Sequence, residues 1–395
     1  MREIPPEPLA LPASSCYDGC DYDEEVLPML SSAVVHRRAL HRIPELDDQL
    51  PETTAYVRAV LESLPCQVSA PIPGSVCAFF DAGKSETVAF RADLDALPVS
   101  ECTGLPWASV HPGKMHACGH DGHTAMMLAL AEFVGAHLDA LPRNVLFLFQ
   151  PAEETTGGAL RLCQSGILAR HGASRVFGLH LWPGLPAGQV YTRPGAMMAR
   201  ANEVTVTITG KSVHLSRAVE GLDALTAGAE YLRRAYAMTD TLPPEELVVL
   251  RFGKMVSGTV RNAVSGKTVL EGSLRTYREE TFRLCRDQLR TIGQDIARET
   301  GCGAEVHLNE GYPAVWNHEA LYAAVCAGLG DHAPQLLEAP VLAAEDFSFY
   351  QQEIPGVFFF LGVGSTPELH AQDFSFDDEA VLPAGVEFLK RLLML

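Results

Sequence analysis

The densest group of metal-binding side chains in the sequence lies between Lys114 and His123. This segment contains three histidines together with Cys118 and Asp121. Imidazole and thiolate groups are preferred ligands for zinc and for related transition-metal ions. On a regular helix Cys118 and His120 would point about 200° apart, but an irregular turn with a glycine between them lets the side chains converge. The spacing therefore favours a metal-binding loop at a helix start over a polar loop with one buried cysteine.

Length, charge and cysteine usage limit the class of protein. The chain of 395 residues is longer than a typical domain with a single hydrophobic core, which predicts two domains. A formal net charge of −19 argues against nucleic-acid or anionic-membrane partners, because both need a basic surface. The N-terminus lacks the features of a signal peptide, and no apolar run approaches the roughly 20 residues of a membrane span. The ten cysteines form no compact framework, so we expect a cytoplasmic protein with reduced thiols.

The N-terminal part of the chain divides into a polar leader and a helical stretch. Residues 1–25 are rich in proline and acidic residues, which predicts a loose leader or a strapping arm. Cys16 and Cys20 lie here without a second cysteine pair that would complete a metal site. From Leu27 to Leu64 the pattern predicts helices with a break near Pro44.

Polar side chains follow four apolar segments that predict buried strands. The segment 87–98 begins as an apolar strand with Asp93 and Asp95 at its carboxyl end, residues 144–150 lead to Glu153 and Glu154, residues 175–183 contain His180, and residues 356–364 lead to a loop with His370. Taken singly, the aspartates would also fit a solvated turn, and the strand histidine would fit a satisfied core position. Because ligand sites in open α/β sheets lie beyond the carboxyl ends of the strands, we expect one common site.

The residues at these strand ends form a possible dinuclear metal centre. The candidate ligands are Cys118, His120, Glu154, His180 and His370. Five ligands exceed the four of one tetrahedral zinc and suit two metal ions about 3.5–4 Å apart. Adjacent carboxylates raise each other's pKa unless a cation lies beside them, so one can bind metal while Glu153 remains free as a base. Metal-activated water and this base predict hydrolysis of an amide bond.

Residues 201–312 have a different pattern from the rest of the chain. Strands are predicted at 203–210, 246–252, 266–276 and 304–308, and helices at 221–238 and 278–299. This β-α-β-β-α-β order is typical of a ferredoxin-like unit. We therefore predict an α/β catalytic domain with a mixed, largely parallel sheet, made of residues 1–200 and 313–395, and an inserted α+β domain at 201–312.

Seven motifs resemble those of a known family and follow one another in the same order as in that family. They are Arg91–Pro98 (RADLDALP), Thr103–Trp107 (TGLPW), Lys114–Thr124 (KMHACGHDGHT), Phe149–Glu154 (FQPAEE), Gly178–Pro183 (GLHLWP), Ala344–Ser348 (AEDFS) and Leu369–His370. The sequence resembles the amidohydrolase branch of the dinuclear metallopeptidase superfamily over about residues 36 to 383. This branch includes hippurate hydrolase, N-acyl-amino-acid amidohydrolase and indole-acetyl-amino-acid hydrolase.

The resemblance implies a zinc-peptidase-like catalytic domain with an inserted lid or dimerisation domain, and hence a homodimer. It implies two divalent metal ions, zinc or manganese first and cobalt or nickel as alternatives. Their implied ligands are Cys118, His120, Glu154, His180 and His370. Glu153 matches the general base of this family, and Asp95 matches the aspartate that orients a metal ligand.

Three residues of the insertion also match family positions. His214 matches a histidine that steadies the oxyanion, often from the partner subunit, and Asn262 matches a substrate-contacting asparagine. Arg275 matches the arginine that holds the substrate carboxylate, which suits its planar fork of donors. Each would also fit as a polar residue on a sheet surface. The segment departs from the family where Ala218 and Val219 replace a proline and a second histidine, so the lid loop differs in shape.

The sequence thus predicts a metal-dependent amidohydrolase that cleaves N-acyl amino acids into a carboxylate and a free amino acid. A dipeptidase or carboxypeptidase with the same metal centre is the nearest alternative. A metal-containing small-molecule binder that has lost catalysis is a further alternative, which only the altered lid loop supports. An intact Glu153 beside a full ligand set argues against the binder, because binding alone does not require a base.

Overall fold

The structure is a computed structural model that describes residues 31–395, so the predicted N-terminal arm with Cys16 and Cys20 lies outside the described residues. The helices are α1 Ser32–His41, α2 Pro51–Glu62, α3 His120–Ala136, α4 Gly158–Gln164, α5 Ile167–Arg170, α6 Ala224–Thr239, α7 Glu279–Thr300, α8 Glu319–Leu329, α9 Ser348–Glu353 and α10 Asp378–Leu393. The strands are β1 Gln67–Ser69, β2 Val76–Phe80, β3 Thr87–Asp93, β4 Asn144–Gln150, β5 Ala173–Trp182, β6 Val190–Thr192, β7 Gly195–Met198, β8 Arg200–Thr209, β9 Val249–Ser257, β10 Lys267–Thr276, β11 Gly303–Leu308, β12 Val315–Asn317, β13 Gln335–Leu336 and β14 Gly356–Gly362.

The larger sheet has eight strands in the order β1-β2-β4-β3-β5-β14-β6-β13. Its central strands β4, β3, β5 and β14 are neighbours, and each adjacent pair among them is parallel. Strands β2 and β6 flank this group with antiparallel pairing, so the sheet is mixed with a parallel centre. The four strands predicted to lead to the site are thus confirmed as one parallel group, and their carboxyl ends meet at one edge.

The central strands are apolar on both faces because helices cover both sides of the sheet. In β4, Val145, Phe147 and Phe149 pack into a core that includes residues of α3 and α10. Leu146 and Leu148 point to the opposite core, which includes residues of α4 and α5. Among residues 31–395, no helix combines the length and the apolar character needed to cross a membrane.

The smaller sheet contains β8, β9, β10 and β11 in the order β11-β8-β10-β9 with antiparallel pairing throughout. Helices α6 and α7 pack with one face of this sheet around Val206, Tyr231 and Leu289. The chain order β8-α6-β9-β10-α7-β11 confirms the predicted ferredoxin-like pattern. The domain boundaries at 200 and 312 remain a prediction.

The predicted strand at 246–252 is wrong in its position. The structure places β9 at Val249–Ser257, after a single 3₁₀ turn at Pro244–Glu246. Leu247 has a left-handed backbone with a φ of 48°, which an extended strand does not allow. Strand pairing therefore starts only after this residue.

Candidate metal centre

The candidate centre lies at the carboxyl ends of the parallel strands. Asp95 follows β3, Glu153 and Glu154 follow β4, and His180 lies near the end of β5. His370 lies in the loop between β14 and α10, where its own φ of 68° is unusual for a residue other than glycine. Such backbone outliers cluster at functional sites because the surrounding structure must hold them.

The other two candidate ligands come from the start of α3. Cys118 precedes the helix and His120 is its first residue, with Gly119 between them. Gly119 has a φ of 83°, a conformation that glycine adopts without strain. The turn therefore brings Cys118 and His120 towards the same site, as the sequence predicts.

The structure brings the five predicted ligands into one cluster. The Cys118 sulfur lies 3.5 Å from Nε2 of His180 and 3.3 Å from Nε2 of His370. Oε1 of Glu154 lies 3.2 Å from Nε2 of His370 and 3.9 Å from Nε2 of His120. His370 is the most open member, with 52% of its side chain exposed, so the cluster is reached from this side.

Hydrogen bonds to the backbone direct two imidazoles towards this cluster. His120 donates from Nδ1 to the Asp95 carbonyl at 2.7 Å, and His180 donates from Nδ1 to the Leu181 carbonyl at 2.7 Å. These bonds leave Nε2 of each ring facing the cluster, the atom through which a neutral histidine binds a metal. Burial acts to lower the pKa of His120, but the charge of Asp93 raises it to about 10, so a cation is needed to hold this ring neutral. Nε2 of His120 is buried and has no hydrogen-bond partner among the described residues. A buried ring nitrogen without a partner fits a metal ligand.

A neighbouring histidine is excluded from this role by its own hydrogen bonds. His123 lies close to His120 and Asp93, and these three residues would also suit a metal by type. However, Nδ1 of His123 donates to Asp93 at 2.7 Å, and its Nε2 accepts from the Leu181 amide at 2.9 Å. With both ring nitrogens engaged, His123 supports the site and does not offer a free ligand atom.

Two overlapping sets of ligand atoms share one sulfur. One set is Cys118, His120 and His180, and the other is Cys118, Glu154 and His370, with the ligand atoms of each set within 4.8 Å of one another. Burial and then the charge of Glu154 raise the pKa of the Cys118 thiol, whereas a bound cation favours the thiolate. Burial and then His123 lower the pKa of His180, which keeps its imidazole neutral for metal binding.

Glu153 and Glu154 lie in a turn whose backbone is hydrogen-bonded to the side chain of Asp95. The Asp95 carboxylate accepts hydrogen bonds from the amide of Glu153 at 3.0 Å and from the amide of Glu154 at 3.1 Å. The preceding residue, Ala152, has a left-handed backbone with a φ of 59°. Asp95 thus contacts the Glu153–Glu154 turn through its side chain and His120 through its backbone, which is the contact that an orienting role requires.

The two adjacent carboxylates have opposite electrostatic surroundings. Burial and then the charge of Glu345 raise the pKa of Glu153 well above its usual value. Burial also acts to raise the pKa of Glu154, but the hydrogen bond from His370 and the charge of His120 outweigh it, so the pKa of Glu154 is lowered. A pair whose pKa values are pushed apart suits one carboxylate as a ligand and the other as a base.

A buried ion cluster beneath the site was not assigned by the sequence. Arg91 has 1% of its side chain exposed and contacts Asp93 at 2.7 Å, Glu345 at 2.9 Å and Asp346 at 2.7 Å. The carboxylates of Glu345 and Asp346 lie within 4.8 Å of the carboxylate of Glu153. The motifs Arg91–Pro98 and Ala344–Ser348 already contained these residues, but nothing in their spacing showed that they meet.

The three candidate residues of the insertion do not join the cluster. Within residues 31–395, no hydrogen bond or ion pair connects His214, Asn262 or Arg275 with the five candidate ligands. His214 and Asn262 are exposed and lie together, because the amide of Leu215 donates to the Asn262 carbonyl at 3.1 Å. Arg275 is half-buried on β10, and its burial lowers its pKa.

Residues 89–395 match the peptidase family M20/M25/M40, and the chain belongs to this family. It is 35% identical over 374 residues to N-acetyldiaminopimelate deacetylase of Lacticaseibacillus casei strain BL23, with 91% of this chain and 97% of that protein covered. It is 34% identical over 365 residues to N-acetyl-L-cysteine deacetylase of Bacillus subtilis strain 168, with 90% and 87% covered.

A solved structure agrees with this assignment. The crystal structure of a dinuclear metal-binding peptidase of the M20 family from Bacillus subtilis matches with a TM-score of 0.80 at 30% identity, covering 92% of this chain and 96% of that chain. The predicted family and fold class are thereby confirmed. The protein is a hydrolase that acts on amide bonds, as the sequence predicts.

Proposed function

We propose that this protein uses two divalent metal ions to cleave N-acyl amino acids into a carboxylate and a free amino acid. The observation that carries this proposal is the position of the buried Glu153 carboxylate. One of its oxygens lies within 4.8 Å of the ligand atoms of His120 and Glu154. A binding protein has no need of a free carboxylate beside a full ligand set. An amide hydrolase needs it to move a proton from water to the leaving nitrogen.

The ligand types define which ions fit the proposed centre. The five side chains of the two sets that share Cys118 would hold two ions. Zinc or manganese is proposed first, and cobalt or nickel is compatible with thiolate and imidazole ligands. Such ions lower the pKa of bound water and polarise the carbonyl of the scissile amide.

The chain's own residues supply the proton transfers. Glu153 accepts a proton from the attacking water and donates it to the leaving nitrogen, which departs as the free amine. Asp95 holds the Glu153 backbone in place for both steps. With metal bound, His120 and His180 would each offer Nε2 as a neutral ligand, because each uses its second ring nitrogen on a backbone carbonyl.

The position of Arg275 supports a role in binding the substrate carboxylate. Arg275 pairs with Ala201 across the sheet, and Ala201 pairs with Tyr312, so the three side chains share one face. Tyr312 contacts the turn that contains Glu153. Arg275 lies two strand spacings from Tyr312, which is about 10 Å. Arg275 has no side-chain partner among the described residues, which leaves its guanidinium free for a carboxylate. Two relatives are named as N-acetyl deacetylases, which favours an acetyl group over the benzoyl group of hippurate.

We infer that His214 and Asn262 act in a homodimer. Both are exposed, and so are three large apolar residues close to them in the chain, Leu215 at 50%, Val219 at 98% and Val260 at 59% exposure. Apolar residues grouped in this way mark an interaction surface. A partner subunit that covers this surface would receive His214 at its own metal centre, where the imidazole steadies the developing oxyanion.

Mixing two inactive variants tests the shared site. Glu153→Gln and His214→Ala are each expected to be nearly inactive alone. After subunit exchange, half of the dimers are mixed and each has one complete site, so about a quarter of the wild-type activity returns. The measurement is the rate of hydrolysis before and after mixing, and a mixture that stays inactive although mixed dimers form would refute the shared site.

A substrate panel tests the proposed function itself. Protein loaded with zinc or manganese is assayed on N-acetyl amino acids, hippurate and dipeptides, and bound metal is counted by elemental analysis. We expect about two ions per chain and release of free amine from N-acetyl substrates. Preference for dipeptides with a free amino group would support a dipeptidase, and two bound ions without cleavage would support a binder. The cytoplasmic location and the absence of nucleic-acid or membrane partners remain predictions from the sequence.

A further inference from the structure

We infer that Tyr312 is a positioning residue that holds the Glu153 turn from the segment where the insertion rejoins the catalytic fold. This inference rests on the proposed function of Glu153 as the base. The Tyr312 hydroxyl donates to the Glu153 carbonyl at 2.9 Å, and the Thr155 carbonyl lies 3.2 Å from the same oxygen. Within residues 31–395, no other donor reaches either carbonyl. Tyr312 is therefore the sole described partner on this side of the turn.

The turn requires support from outside because its own backbone is strained. Ala152 has a φ of 59°, which is unfavourable for a residue with a Cβ atom. Asp95 holds the amide side of the turn through its bonds to Glu153 and Glu154. Tyr312 holds the carbonyl side. The peptide group between Glu153 and Glu154 is thus hydrogen-bonded on both sides, at its amide and at its carbonyl. We expect loss of either bond to let this peptide group rotate.

Tyr312 is itself fixed where the two connections of the insertion run side by side. Its backbone pairs with Ala201 of β8, and a Cβ atom on Gly311 would lie 1.9 Å from the Ala201 carbonyl oxygen. Only glycine allows this approach. The Asn202 side chain adds hydrogen bonds of 2.7 Å to the Asn309 carbonyl and 2.9 Å to the Glu310 carbonyl.

The aromatic ring of Tyr312 is packed independently of its hydroxyl. Its edge faces Phe349 with the ring centroids 5.9 Å apart, and a Cβ atom on Gly157 would lie 3.0 Å from the ring. The ring and its backbone therefore place the hydroxyl, which bonds to the carbonyls of the turn. The connecting segments of the insertion therefore contact the Glu153 turn through Tyr312.

Tyr312→Phe removes the hydroxyl and keeps the ring. We expect amide hydrogen exchange in the peptide that contains residues 152–158 to become about fivefold faster, the effect of one neutral hydrogen bond. With a substrate accepted by the wild type, kcat is expected to fall by about fivefold while KM and the bound metal stay unchanged. The readouts are exchange followed by mass spectrometry, steady-state kinetics and elemental analysis on the metal-loaded full chain.

Tyr277→Phe is the matched control. Tyr277 also donates a hydrogen bond to a backbone carbonyl, that of Val341 at 2.9 Å, but among the described residues it has no hydrogen bond to the Glu153 turn. This variant is expected to leave exchange in residues 152–158 and kcat unchanged. Unchanged exchange in Tyr312→Phe overturns the inference, and so does faster exchange with unchanged kcat. If the wild type cleaves no substrate, the proposed function fails, and the exchange result still decides whether Tyr312 holds the turn.

Discussion

Glu153→Gln is expected to lower kcat by about 1,000-fold, within the range that general acid–base catalysis contributes. The substitution keeps the size of the side chain but removes the group that accepts and returns the proton. Because Glu153 is not among the predicted ligands, the variant should keep its metal content and its fold. The measurements are kcat on the best substrate of the panel, bound metal by elemental analysis, and the melting temperature.

Glu154→Gln is the control that separates a base from a ligand. Glu154 shares the same turn, and its Oε1 lies 3.2 Å from His370, so the amide is expected to weaken metal binding. The variant should regain part of its activity at higher metal concentration, whereas Glu153→Gln should not. Loss of metal from Glu153→Gln, or more than a tenth of the wild-type kcat in that variant, would contradict the assignment of the base.

Arg91→Met is expected to lower the free energy of unfolding by about 3–5 kcal/mol, the cost of leaving buried charges without their partner. Arg91 contacts three carboxylates, those of Asp93, Glu345 and Asp346, and the groups in this cluster are almost completely buried. Methionine has a similar apolar length but neutralises none of these charges. Urea unfolding at pH 8 measures the difference from the wild type.

The loss in Arg91→Met should depend on pH. In the wild type, burial raises the pKa of Glu345 to about 8, even though Arg91 acts to lower it. A carboxyl group with a raised pKa adds stability below its unfolded value of 4.5 and loses this contribution as the pH rises through about 8. Without Arg91 the pKa rises further, so the deficit of the variant should be smaller at pH 5 than at pH 8.

Arg233→Met serves as the comparison for this experiment. Arg233 forms an ion pair with Glu230 on the surface of α6, where 68% of its side chain is exposed. Solvent screens such a pair, so no measurable change is expected at either pH. Equal losses in both variants, or a deficit for Arg91→Met that grows towards pH 5, would show that the buried cluster does not stabilise the fold through its charges.

Local sequence signals determined the central strands and the residues at their ends. The segments 88–90 and 145–149 are apolar without interruption, because both faces of these strands are buried, and polar residues follow towards the carboxyl end of each strand. This rule predicted Asp95, Glu153 and Glu154 at one edge without any knowledge of the fold. The same signals failed near Leu247, where a left-handed residue displaced the start of β9.

Contacts between distant segments decided what each of these residues can do. The sequence shows three histidines between 114 and 123, but only the hydrogen bonds of His123 to Asp93 and to the Leu181 amide distinguish it from His120, which keeps a free ring nitrogen. Likewise, Arg91 meets Glu345 only because β3 packs near the segment before α9. Side-chain type and local pattern fix which groups are available, whereas hydrogen bonds and burial, which depend on the packed chain, fix their protonation and their freedom to bind.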